Sequence, residues 1–281
     1  SNITAIIISI ICGITIVAVV AISCVFGFLG KGMNWLGDFV PSVVDNVIEF
    51  DDYENEKLYS TGSAEVPVNG ISKISVDWIS SDIHVEYYGG ETISIKEPEQ
   101  SNSDWALRYR VDGSELKIKF CKSGLRNVNP SDKELTLRLP DGLSLAELDI
   151  ESISSNVNVN GINAAEISFD TVSGNITASG SFTDIDTNGV SGNSDITTFA
   201  VPAEVDSDTV SGDFTLTLPK DINGFTVKAS TVSGSFRKNG FDNISSVTDK
   251  KGRNGTFTYG NGSTEIDFDS VSGDFEIRAA A

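Results

Sequence analysis

The sequence predicts an all-β ectodomain, a β-solenoid of about 20-residue coils with Val-Ser-Gly-Asp/Asn corners, preceded by an N-terminal transmembrane helix. Three observations carry this. A charge-free run occupies 3–30, an apolar/polar alternation of period two begins near residue 60, and a short corner motif recurs from about residue 150. The resulting division is 1–32 transmembrane helix, 33–59 juxtamembrane amphipathic segment, 60–148 N-terminal β-strand region of the solenoid and 149–281 repetitive β-solenoid.

The run from Ile3 to Gly30 holds no charged residue. It exceeds the roughly 20 residues that carry a helix across a bilayer. Cys24 follows Ala21-Ile22-Ser23, a poor match to a lipoprotein cleavage box, and the residues after it stay apolar. Beyond the run, Lys31 is followed by Asp38, Asp45, Glu49, Asp51 and Asp52. Scarce Lys and Arg favour the outer side, so the expectation is a single-pass cell-membrane protein with its C-terminal ectodomain outside. Gly13, Ala18, Ala21, Ser23 and Gly27 would let a second membrane helix approach closely.

In the next segment, Trp35, Phe39, Val43 and Val47 recur every four residues beside Leu36, Val40, Val44 and Ile48. That spacing puts them on one helical face. The face would lie on the bilayer, dock another membrane protein, or pack against its own domain. Its acidic polar side suits an anionic membrane surface poorly.

From residue 60 the period becomes two. Ile74-Ser-Val76-Asp-Trp78, Leu116-Lys-Ile118-Lys-Phe120 and Leu135-Thr-Leu137-Arg-Leu139 each read as a strand with one buried face. Turn clusters such as Val111-Asp-Gly-Ser114 separate them. Then come Ile153-Ser-Ser-Asn156, Val172-Ser-Gly-Asn175, Val190-Ser-Gly-Asn193, Val210-Ser-Gly-Asp213, Val232-Ser-Gly-Ser235 and Val271-Ser-Gly-Asp274, at steps of 19, 18, 20, 22 and 39 residues. An earlier relative is Ile79-Ser-Ser-Asp-Ile83. The last step reads as two periods, with a coil that has lost its signature at 245–260. A coil of this length cannot bury its apolar face alone and must stack on neighbours. Gly174, Gly192, Gly212, Gly234 and Gly273 are the expected structural corners, each accepting positive φ. The adjoining Ser and Asn or Asp are expected to bond backbone groups at the bend.

Composition narrows the chemistry. With 40 acidic against 20 basic residues and a net charge of −20, the chain does not suit phosphate neutralisation, so no nucleic-acid partner is expected. Its one histidine, His84, excludes multi-histidine zinc sites and reads as a surface strand residue. Cys12, Cys24 and Cys121 form no disulfide framework, and Cys121 reads as a buried thiol at a strand end. Asp170, Asp186, Asp206, Asp208, Asp213, Asp267, Asp269 and Asp274 recur on outward or corner positions. A carboxylate ladder could serve acid/base catalysis or hold calcium, or simply form a solvated face that blocks edge aggregation. No basic residue stands recognisably beside it, and no catalytic, cofactor or metal residue is assigned.

The strand motifs Leu137-Arg-Leu139-Pro140 and Leu216-Thr-Leu218-Pro219, followed by repeated Thr/Ser-Val-Ser-Gly-Asp/Asn corners, resemble the bacterial DUF4097 "putative adhesin" family over about 65–278. The resemblance implies a β-solenoid domain, often membrane-tethered and often encoded near envelope-stress regulators or transporters. It implies no catalytic residues. The Ser154-Ser155 corner and the weak stretch before Val271 depart from the pattern. The function expected is a non-enzymatic, membrane-anchored surface protein acting by binding, adhesin-like or an accessory subunit of an envelope complex such as a transporter or stress sensor. The alternative is a carbohydrate-active β-helix lyase or hydrolase.

Overall fold

The computed structural model describes residues 53–125, 133–248 and 254–281. The expected transmembrane helix at 1–32 lies outside the described residues, as does the face of Trp35, Phe39, Val43 and Val47. Among the described residues the helical content is one 3-10 turn, Glu56–Leu58, and no helix is long and apolar enough to cross a membrane.

The strands stack in parallel as coils, each with one strand before its corner and one after. Coil A joins Glu115–Lys119 to Leu135–Pro140, and coil B joins Lys73–Ser80 to Ile83–Tyr88. Coil C runs from Ser144–Ser154 into 157–160. Coils D and E are 163–173 with 176–180, and 181–191 with Ser194–Thr198. Coil F joins Glu204–Ser211 to Phe214–Leu218, coil G joins Thr264–Ser272 to Phe275–Ala279, and coil H joins Gly224–Thr231 to Phe236–Asn239.

The letters give the order in space, which departs from chain order at both ends. Coil B sits between A and C, although A follows it in sequence. Coil G, the last in sequence, is inserted between F and H. This corrects the reading of 245–260 as a faded coil. Ser245–Thr248 and Gly255–Gly260 instead form an antiparallel pair that covers the edge strand of coil H. At the other end, Arg108–Asp112 pairs antiparallel with coil A's first strand and Thr92–Lys96 with its second. Covered edges remove the open hydrogen-bonding rows that would recruit other chains.

The interior follows from the alternation. Leu116, Ile74, Leu148, Ile167, Ile185, Val205, Ile266 and Val227 stand in register through every coil and are buried. Leu137, Val85, Val159, Ala178, Ile196, Leu216 and Ile277 form the matching ladder on the second strands. One continuous hydrophobic cluster includes both. Near the N-terminal end it surrounds the buried pair Lys133–Glu97, where Nζ also donates to Trp105 O at 2.8 Å and stands over the Phe120 ring at 4.7 Å.

The corners stack as closely as backbones allow. A Cβ placed on Gly174 would meet Ser155 O at 2.0 Å, and one on Gly192 would meet Gly174 O at 1.9 Å. The same 1.9 Å clash recurs from Gly212 to Gly192, from Gly273 to Gly212 and from Gly234 to Gly273. Positive φ is found at Gly174 (134°) and Gly192 (123°), whereas Gly212, Gly234 and Gly273 adopt backbone open to any residue. The expectation of positive φ at every corner is therefore corrected. Close approach of the neighbouring carbonyl is what demands glycine.

The Asx residues also act between coils rather than locally. Asn156 Oδ1 accepts the N–H of Asn175 at 3.1 Å, Asn175 Oδ1 that of Asn193 at 3.0 Å, and Asn193 Oδ1 that of Asp213 at 2.9 Å. Asp213 Oδ1 then accepts from Asp274, and Asp274 Oδ1 from Ser235, following the order F, G, H. Corner serines do likewise, with Ser173 Oγ donating to Ile153 O at 3.4 Å and Ser191 Oγ to Val172 O at 3.4 Å.

Replacing Gly212 with Val drives side-chain atoms into the Gly192 carbonyl and should destabilise the domain by about 1–3 kcal/mol in denaturant melts. Replacing the outward Thr215 with Ser should cost less than about 0.5 kcal/mol. Equal melts for the two variants would remove the corner contact as a determinant of the stack.

Candidate functional site

On the first strands of the coils, residues alternate between the core and one outer face. Parallel, in-register pairing then turns a repeated outward acid into a column. One column holds Glu147, Glu166, Asp184, Glu204 and Glu265. A second holds Asp149, Ser168, Asp186, Asp206 and Asp267, and a third Glu151, Asp170, Asn188, Asp208 and Asp269. Strands in a sheet are about 4.8 Å apart. Like charges directly opposite at that spacing oppose pairing.

Cations lie at the ends of this face. Lys73 pairs with Glu147 and Lys119 with Asp77 beside coil B, while Lys228 of coil H stands 3.4 Å from Asp267. Among the described residues, no Lys or Arg forms an ion pair with Glu166, Asp170, Asp184, Asp186, Asp206 or Asp208 in the central coils. Asn188 relieves one contact, donating to Asp186 Oδ1 at 3.0 Å.

The acids respond as buried like charges do. Burial, with Asp269, Asp186 and Asp206 close by, pushes Asp208 up to about 8. Burial and then Glu151 and Asp170 push Asp149 up to about 7. Asp186 rises to about 6 through burial and the Asp170 and Asp206 charges, and burial raises Asp269 to about 6. Burial also raises Asp170 and Asp206. Packed short side chains, shoulder to shoulder on a flat sheet, lose water that an isolated surface Asp keeps.

The other acids singled out in the sequence go elsewhere. Asp213 and Asp274 belong to the corner ladder. No group of three or more His, Cys, Asp or Glu is placed to hold a metal ion among the described residues, since the columns spread carboxylates along a line. The corner glycines Gly174, Gly192, Gly212, Gly234 and Gly273 line up along one edge of the stack and carry no chemistry. His84 faces outward 3.8 Å from Glu134 Oε1, and Cys121 is buried just past Glu115–Lys119. The Lys133–Glu97 pair escapes a sequence reading because the partners are 36 residues apart and share no motif.

A group whose folded pKa is raised favours its neutral form in the fold. The unfolded chain titrates near 4, so stability falls as pH rises from about 4 through the folded values of about 6 to 8 and is flat beyond. Thermal melts should therefore give a higher Tm at pH 5 than at pH 8. Asp208→Asn should raise Tm strongly at pH 8 and by much less at pH 5. A Tm that climbs from pH 5 to pH 8 would contradict the burial of this face.

The model of the Toastrack DUF4097 family matches twice, at residues 71–181 and 178–278, and the two matches overlap where coil D passes into coil E. No curated protein matches the chain. Among solved structures, a "putative cell adhesion protein" from Clostridium sporogenes is 16% identical, covers 79% of this chain and 100% of its own, and superposes with a TM-score of 0.48. A "putative adhesin" from Bacteroides fragilis is 13% identical over 79% of this chain and 97% of its own, with a TM-score of 0.39. A "putative lipid binding protein" from Parabacteroides distasonis is 15% identical over 82% of this chain and 99% of its own, with a TM-score of 0.30. With the family model spanning most of the stacked coils in two tandem matches, the chain belongs to the Toastrack DUF4097 family.

Proposed function

We propose that this chain is a non-enzymatic, membrane-anchored protein that works by binding, with the acidic sheet face held outside the membrane against a cationic partner. Residues 1–32 are the anchor, and the stacked coils are a rigid spacer that presents the face. The partner is a basic protein segment or an amine-bearing polymer, met either by an adhesin-like ectodomain or by an accessory subunit of an envelope complex.

The observation that carries the reading is the uncompensated central stretch of the three columns, from Glu166 to Asp208. In-register like charges weaken a sheet, and a fold that keeps such a conflict locates its function there. Cationic groups seated along the columns would restore the missing counter-charge. The field would also speed encounter with a basic partner, an effect that salt weakens.

Fluorescent poly-L-lysine titrated into the detergent-solubilised full chain at low salt tests the face. The triple variant Asp186→Asn, Asp206→Asn, Asp208→Asn should weaken binding about tenfold, or 1.4 kcal/mol. The control Glu91→Gln, Asp141→Asn, Asp221→Asn removes the same number of carboxyl groups from exposed positions elsewhere and should change it by less than about twofold. Equal losses in both would mean that net charge alone is read.

The anchor has its own test. The full chain should stay with membranes through alkaline carbonate washing, and the chain lacking 1–33 should be water-soluble with a mainly β circular dichroism spectrum. Carbonate release of the full chain would contradict the anchor.

A further inference from the structure

Inside the stack, one inward column of the first strands carries hydroxyls. Trp78, Ser152, Thr171, Gly189, Thr209, Ser270 and Thr231 stand in register from coil B to coil H. The hydroxyls pair along it, Ser152 Oγ with Thr171 Oγ1 at 3.2 Å and Ser270 Oγ with Thr231 Oγ1 at 2.8 Å. Thr171 Oγ1 donates onward to Ser173 O at 3.3 Å. Gly189 breaks the series in coil E. Beside the break, Thr209 is 8% exposed, and its Oγ1 has no hydrogen-bond partner among the described residues.

The break is also a space. A Cβ on Gly189 would find only Thr209 Oγ1 at 3.7 Å and Thr171 Cγ2 at 3.9 Å, both at ordinary contact distance. A cavity of about 10 Å3 lies there, lined by Thr171, Thr187, Gly189, Ser207, Thr209 and Phe214 among others. In the neighbouring inward column, Thr187 Oγ1 and Ser207 Oγ are 2.8 Å apart, and a bond between two hydroxyls leaves one O–H to donate elsewhere. A cavity holds a water when it leaves roughly 10–15 Å3 for the centre of the molecule and supplies two or more polar partners. A buried hydroxyl left unpaired is costly, so the space and the orphan call for the same occupant.

We propose that this cavity binds one water molecule, which hydrogen-bonds Thr209 Oγ1 and the Thr187–Ser207 hydroxyl pair. The water takes the place of the side-chain oxygen that Gly189 lacks and joins coils E and F through the core. Asp208 of the acidic columns and the corner residues Gly192, Gly212 and Asp213 also line the cavity, so it lies against both the acidic strand and the corner.

Thr209→Val in the full chain separates a wet cavity from a dry one by sign. If water is bound, the variant strips it of a partner and lowers Tm by about 2–4 °C. If the cavity is dry, the variant removes an orphan hydroxyl from an apolar void and raises Tm, which would overturn the proposal. A high-resolution crystal structure of the full chain should show a solvent peak about 2.7–3.2 Å from Thr209 Oγ1. The peak should vanish in Gly189→Ala, whose methyl group occupies the space. A crystal with no peak in the parent chain overturns the proposal whatever the melts give.

Discussion

The close approach of one corner to the next is the constraint on which the rest of the structure depends. With no Cβ at Gly192, Gly212 and Gly273, the carbonyl of each corner lies against the next glycine, and the Asx side chain beside it reaches the N–H of the following coil. These two contacts fix the coils in register at one edge. Everything else inherits that register. From coil C to coil H the aliphatic ladder from Leu148 to Val227 is continuous because each coil restarts at the same point, and the acids form columns for the same reason.

That shared register also explains what was legible and what was not. The period was visible because Val, Ser and Gly recur at steps near 20, and the alternation around Ile167 and Val205 told inward from outward. The insertion of coil G was not visible, because Val210, Val232 and Val271 all carry the same motif and any of them can stack on any other. In the fold, the pair Ser245–Thr248 and Gly255–Gly260 caps coil H, and the last coil lies between F and H. The glycine requirement was legible at the right residues for an incomplete reason, since a single chain segment does not reveal how near its neighbour will come. The outward acids were legible too. Their half-burial was not, because it arises only when Asp186, Asp206 and Asp208 stand beside one another in the folded sheet.

Two opposing tendencies therefore share one scaffold. Corner hydrogen bonds and core burial hold the coils together, while the central acids push neighbouring coils apart. The stack tolerates this repulsion because each corner bond is repeated and coupled to the next, as in other linear repeat architectures. The lysines at the two ends, Lys73 and Lys228, confine the unneutralised charge to the middle coils. The central face thus stays electrostatically unfinished, held in place by contacts on other sides of the same coils.

Amide hydrogen exchange at the corners tests the central claim most directly. The N–H groups of Asn175, Asn193, Asp213 and Asp274 sit at exposed bends, yet each donates to the side-chain oxygen of the preceding coil in the stack. They should exchange as slowly as amides in the adjoining strands, and all four should become fast together when Asn193 is replaced by Ala. Exchange of these four amides at the rate of an unprotected loop would mean that the corners do not bind one another and that the register is set elsewhere.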